Sequence, residues 1–148
     1  MPSRSRWPRA TARPLTLFAL GFTLGVLLAC GTGRDGVVWD DETTWTCAGT
    51  ESRVIEGVTK RFTTPDLIAI EAGGSCELRL VNCDITADFP VKAFGNATVT
   101  IEGGRIHGNL QSLQAIGNGR IVVDGATIEG PAPGTMGNGT IEGLPGVE

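Results

Sequence analysis

The chain has 148 residues, 41% of them apolar and 19% charged, with 22 glycines and no tyrosine. Its twelve basic and sixteen acidic residues give a formal charge of −4. All four ionisable side chains of residues 1–29 are arginines, so the remainder carries eight basic against sixteen acidic groups, −8. That balance argues against a nucleic-acid partner, and the length beyond residue 29 suits one domain.

Arg4, Arg6, Arg9 and Arg13 precede the apolar run Leu15–Ala29, which ends at Cys30. A basic region followed by a short apolar run has the form of an export signal; a membrane-spanning helix needs about 20 apolar residues. Leu27-Leu28-Ala29-Cys30 resembles the lipobox of bacterial lipoprotein precursors. The resemblance implies cleavage after a signal peptide of residues 1–29. Cys30 then becomes the mature N-terminus, bearing a diacylglycerol thioether and a fatty acid such as palmitate. Two acyl chains hold a protein on a membrane, at about 0.8 kcal/mol per buried CH₂. An ordinary secretory signal with an incidental Cys30 is the alternative. Residues 30–36 read as the lipidated cysteine and a flexible tether. Gly31 stands where an Asp favours inner-membrane retention in some bacteria, so the expectation is an exported lipoprotein, on the outer membrane where one exists.

Residues 37–65 read as an N-terminal cap and a degenerate first coil. Val37–Cys47, with Trp39 and Trp45, covers one end, and Ala48–Thr50 and Val54–Gly57 form the coil. Lys60–Pro65 is expected to be an extended loop.

Residues 66–143 carry a repeat. Ala72–Ala87, Ala93–Gly108 and Ala115–Gly130 align without gaps, at offsets of 21 and 22 residues. Ala72/Ala93/Ala115 share a column, as do Gly74/Gly95/Gly117 and then Ser75/Asn96/Asn118. Apolar columns follow at Leu78/Val99/Ile121, Leu80/Ile101/Val123 and Ile85/Ile106/Ile128. A period near 20 residues is the mark of a solenoid. Within each copy apolar and polar residues alternate, as in TVTIE and RIVVD, which is the period of a half-buried strand.

The fold class predicted is therefore all-β, a short parallel β-helix of four to five coils. Gly95, Gly117, Asn96 and Asn118 are its corner pieces, because Gly and Asn tolerate positive φ. Asparagines stacked at one corner also form a hydrogen-bonded ladder. Gly103/Gly125 and Gly104/Ala126 mark a second bend, where Asn82 and Cys83 stand in the first copy. The repeat period, the Gly/Asn bends and the inward Val, Ile and Leu resemble right-handed parallel β-helix repeat proteins of the pectate-lyase-like superfamily. Met136–Gly143 begins another copy that loses two residues between bend and strand, and residues 144–148 read as a tail.

Candidate chemistry is sparse. Glu102 and Asp124 stand in one outward column of adjacent coils, with Glu56 and Glu142 near it, and stacked carboxylates favour Ca²⁺. The competing reading is a solvated acidic face relieved by Arg79, Arg105 or Arg120, with no cofactor. The lyases of the resembled superfamily combine an acidic Ca²⁺ cluster with a basic residue, and its hydrolases use clustered Asp. Here Asp84, Asp88 and Asp124 fall in different columns. No catalytic residue transfers, and no enzymatic activity is expected.

His107 reads as an exposed loop residue. Cys76 and Cys83 align with Ala97/Gly119 and Gly104/Ala126, which makes both small buried side chains, while Cys47 is able to reach either. Three thiols beyond Cys30 cannot all pair within the chain. Phe89 and Phe94 are the aromatics within the coils. The expected role is structural, adhesive or ligand-binding. Partners would be the membrane through its lipid, an envelope glycan or protein, and a second copy meeting the C-terminal coil end. A lyase or hydrolase acting on carbohydrate is the alternative.

Overall fold

The computed structural model describes residues 39–145. The signal peptide, lipobox, Cys30, the tether, Val37 and Val38 lie outside the described residues, as do the last three of the tail. All regular structure described is β. Parallel sheets wind into a solenoid of about four turns. The first coil holds β1 (Trp45–Cys47), β2 (Ser52–Glu56) and β3 (Thr59–Arg61); the second holds β4 (Ile68–Ala72) and β5 (Glu77–Ala87). The third holds β6 (Phe89–Gly95) and β7 (Thr98–Gly108), and the fourth β8 (Gln114–Gly117), β9 (Arg120–Asp124) and β10 (Thr127–Glu129). A partial coil adds β11 (Gly134–Gly137) and β12 (Thr140–Glu142).

Five strands stack as one sheet in the order β1-β4-β6-β8-β11. The second sheet runs β12-β9-β7-β5-β2, with β3 on β5 and β10 on β7. Because β5 and β7 pass uninterrupted through the second bend, that sheet supplies two walls of the solenoid. The register joins Ala72 to Ala93 and Ala93 to Ala115, Leu78 to Val99 and Val99 to Ile121, and Ile85 to Ile106 and Ile106 to Ile128. Stacked coils thus place like residues over like.

Alternation decides which side chains enter the core. Leu78, Leu80, Ile85, Val99, Ile101, Ile106 and Ile121 point inward and are essentially inaccessible. Each such burial contributes about 1.5–3 kcal/mol. The first corner uses Gly49, Gly74, Gly95, Gly117 and Gly137, all with φ between 68° and 70°. Glycine is required here twice over. The angle is left-handed, and a Cβ on Gly74 would lie 2.9 Å from the carbonyl oxygen of Gly49. At the second bend Asn82 adopts φ 50°, where Gly103 stands in the next coil.

The N-terminal end is closed by side chains. Trp39 is buried against Phe62, ring centroids 5.2 Å apart, and its indole N–H donates to the Thr43 carbonyl at 3.1 Å. Asp40 accepts from the Thr43 hydroxyl at 2.6 Å and from two backbone N–H groups, fixing the preceding turn.

Three local expectations are corrected. Thr59–Arg61 is strand β3, not part of a loop from Lys60: it pairs with β5, and Lys60 stands opposite inward Ile85. Its ammonium, otherwise stranded at the core's edge, meets Asp41 at 2.8 Å. His107 lies in β7, half-buried, rather than in an exposed loop. In the last coil no residue is missing between bend and strand, since Gly137 pairs with Gly117 and Thr140 with Arg120. The shortening falls after Glu142, where Gly143 makes the turn early.

Cys47 is joined to Cys76, Cα atoms 6.0 Å apart, which resolves the open choice for Cys47. Both are fully buried. Cys83 is free and buried, and desolvation pushes its thiol pKa up.

Candidate binding face

The outward positions of the two walls built by the second sheet are mostly paired with one another. Arg79 clasps Glu102 through two contacts of 2.8 Å, and Arg120 clasps Glu142 at 2.8 and 3.0 Å. Arg105 lies beside Asp84, its register partner, at 3.2 Å and reaches Glu129 at 3.5 Å. Glu129 also meets His107 Nδ1 at 3.2 Å. In each case the arginine reaches a carboxylate one coil onward and two positions along, a diagonal that register alone makes visible. The hydrogen bonds from Arg79 and Arg120 hold the carboxyls of Glu102 and Glu142 below their usual range.

This arrangement places the residues proposed for a cation. Glu102 is engaged by Arg79, while Asp124 is exposed at the end of β9. Glu142 stands opposite Val122, outside the column of Glu102. Among the described residues no group of three or more His, Cys, Asp or Glu side chains is arranged to hold a metal ion.

The first corner carries the asparagines. The Asn118 amide donates to the Asn96 side-chain carbonyl at 2.9 Å, and Asn138 donates to that of Asn118 at 3.1 Å. All three are exposed, so the row links solvent-facing side chains rather than buried polar groups. A second set of polar links crosses the third corner. Asp88 accepts from the Asn109 amide at 2.9 Å and from the Asp66 backbone N–H at 2.8 Å. Those two donors, the side chain first, hold its carboxyl below the ordinary value.

The outer surface of the first sheet differs from the other two walls. Register stacks Phe94 on Ile116 and Ile116 on Met136, an apolar row running along the solenoid axis. Phe94 is 36% exposed and Met136 65%. The tip of the Phe94 ring covers Gly73, where an added Cβ would come within 2.2 Å of it. Lys92 sits 5.3 Å from the centre of that ring and is paired with Glu71 at 3.2 Å.

Along one flank of the row runs the ladder of Asn96, Asn118 and Asn138. Along the other stand Gln114 and, from the preceding corner, Gln111, joined by a side-chain hydrogen bond. Gln111, Gln114, Ile116, Gly134, Thr135 and Met136 enclose a hollow of about 200 Å³. An apolar strip edged by amides, with the Lys92–Glu71 ion pair at its Phe94 end, offers stacking and hydrogen bonding without net charge.

The sequence singled out Glu102 and Asp124, but Glu102 is engaged by an ion pair with Arg79. It did not find Ile116, Met136, Gln111 or Gln114. The available signal was the outward column Phe94/Ile116/Met136, which breaks the polar-outside alternation. Comparison of the chain with protein-family models, with curated proteins and with solved structures finds no match.

Proposed function

We propose that this chain is an exported, membrane-tethered lipoprotein whose β-helix is a non-catalytic binding module, and that the outer face of its first sheet holds an uncharged envelope glycan. The observation that carries the reading is the outward Phe94–Ile116–Met136 row, exposed at Phe94 and Met136 and half-buried at Ile116, flanked by Asn and Gln amides. Sugars present apolar ring faces and peripheral hydroxyls, which match an apolar strip edged with amide donors and acceptors. The tether reading rests on the arginine-led apolar run and the Leu27–Cys30 motif. Support for export comes from the Cys47–Cys76 disulfide, since such bonds persist in oxidising compartments. The right-handed, pectate-lyase-like assignment belongs to the same proposal and rests on repeat period and corner chemistry.

The test is a binding screen of the protein against neutral and acidic glycans, with and without Ca²⁺. The double variant Phe94→Ala/Met136→Ala should weaken neutral-glycan binding by roughly tenfold, the loss of about 1.4 kcal/mol of contact. Glu102→Gln/Asp124→Asn should leave it unchanged. Glycan turnover abolished by that second pair would establish the carbohydrate-active enzyme instead. Sedimentation of the same samples separates glycan binding from self-association, and a mass spectrum of Cys30 shows whether it carries acyl chains.

A further inference from the structure

The disulfide occupies a particular point on the chain's path. In a solenoid each coil is held mainly by its neighbours, so an end coil has a partner on one side alone. Tension arriving at Trp39 and directed along the stack loads the backbone hydrogen bonds of that coil one after another. Beyond the Trp39–Phe62 contact and the Lys60–Asp41 pair, the first ladder in the path is β1 on β4, with three paired residues ending at Cys47. Next come five pairs of β2 and three of β3, both on β5. Cys47 is the last residue of β1, and Cys76 directly precedes β5. On its other side β5 is joined to β7 through ten paired residues.

We propose that the Cys47–Cys76 bond is a load clip that carries tension past the first coil. Tension that reaches Cys47 crosses the sulfur bridge into Cys76 and enters β5, the strand held on both sides. Residues 48–75, containing β2, β3 and β4, then bear no load while the bond is intact. Both cysteines are fully buried, so the coil must open before a reductant reaches them. Cys83, the other cysteine among the described residues, is free, so no second bridge of this kind protects a later coil. The physiological purpose rests on the tether reading, in which the membrane attachment lies ahead of Trp39. The mechanical claim is independent of it.

Single-molecule stretching of the full chain tests the clip in two geometries, with handles attached through non-cysteine chemistry. In the first, load enters ahead of Trp39 and leaves at exposed Leu110; in the second, it runs from Leu110 to the C-terminal end. The comparison variant is Cys47→Ala/Cys76→Ala. Alanine already stands in both columns, at Ala72, Ala93 and Ala115 and at Ala97, so the fold should survive. Protein reduced while unfolded and refolded in reductant serves as a second reduced form.

In the first geometry both forms first release residues 39–47, and the rupture that follows should need higher force in the bridged protein. The unbridged forms should show an added early step, because a 29-residue separation at about 3.4 Å per residue hides about 100 Å of chain. In the second geometry the forms should rupture alike. Equal forces for the rupture that follows release of residues 39–47 in the first geometry would overturn the proposal. So would an equal loss in both geometries, which marks general stabilisation rather than a clip. If the tether reading alone is wrong, Cys30 carries no lipid and the force result stands.

Discussion

Asn118 is the middle member of the corner row, donating to Asn96 and accepting from Asn138. Replacing it with Ala removes both side-chain bonds at an exposed site. Each contributes little because water competes for the same groups. The expected loss is about 1 kcal/mol, read as a fall of roughly 4–8 °C in thermal melting. The glycine before it is under a stricter demand, since Gly117 has φ 69° while Asn118 has ordinary backbone geometry. Asn is therefore present for its amide rather than for its tolerance of positive φ. Spacing revealed the pair Gly-Asn but not which of its members made the turn. The same distinction appears in reverse at Asn82, which takes the left-handed angle itself.

At the scale of elements, β5 and β7 organise the molecule. They pair over ten residues and together contact β2, β3, β9 and β10 on their outer edges. Ile101, inward on β7 between Leu80 and Val123, is fully buried. Ile101→Ala should lower unfolding free energy by about 2–5 kcal/mol, measured by denaturant titration, because neighbouring coils cannot close over the gap. The central strands were legible because each alternates apolar with polar residues and repeats its neighbour's columns. Strand β3 was not. Its Thr59-Lys60-Arg61 has no apolar residue, and an inward lysine reads as loop until Asp41 is seen covering it. His107 was misplaced for a related reason: a lone polar residue between Ile106 and Gly108 carries no strand signal of its own, whereas β7 continues to Gly108. Arg79, Arg105 and Arg120 were legible as the residues that relieve the acidic face, but column reasoning did not give their diagonal partners. A column places Glu102 opposite Val81, and the long side chain of Arg79 crosses to it from two positions away.

For the whole molecule, hydrogen-bonded carboxylates at the N-terminal end, at the third corner and on the second sheet give stability a pH dependence. Asp40, Asp88, Glu102 and Glu142 have carboxyl pKa values lowered by hydrogen bonds, from Thr43, Asn109, Arg79 and Arg120 first in each case. A lowered native value means that the unfolded chain takes up protons first. The contribution is complete above the ordinary values of 3.8 and 4.5 and is lost as pH falls through the lowered ones. The melting temperature should therefore decline in that acid range, and Asp88→Asn/Glu102→Gln should make the decline shallower. An unchanged slope in the double variant would show that these two carboxyls do not set it. The corner row of asparagines has one more property at this scale. The Asn118 and Asn138 amides both donate toward the earlier coil, so the two hydrogen bonds of the row point the same way. The row thus has a sense of direction: its growing end presents the Asn138 carbonyl oxygen as an acceptor, and any rung added there must arrive with a donor.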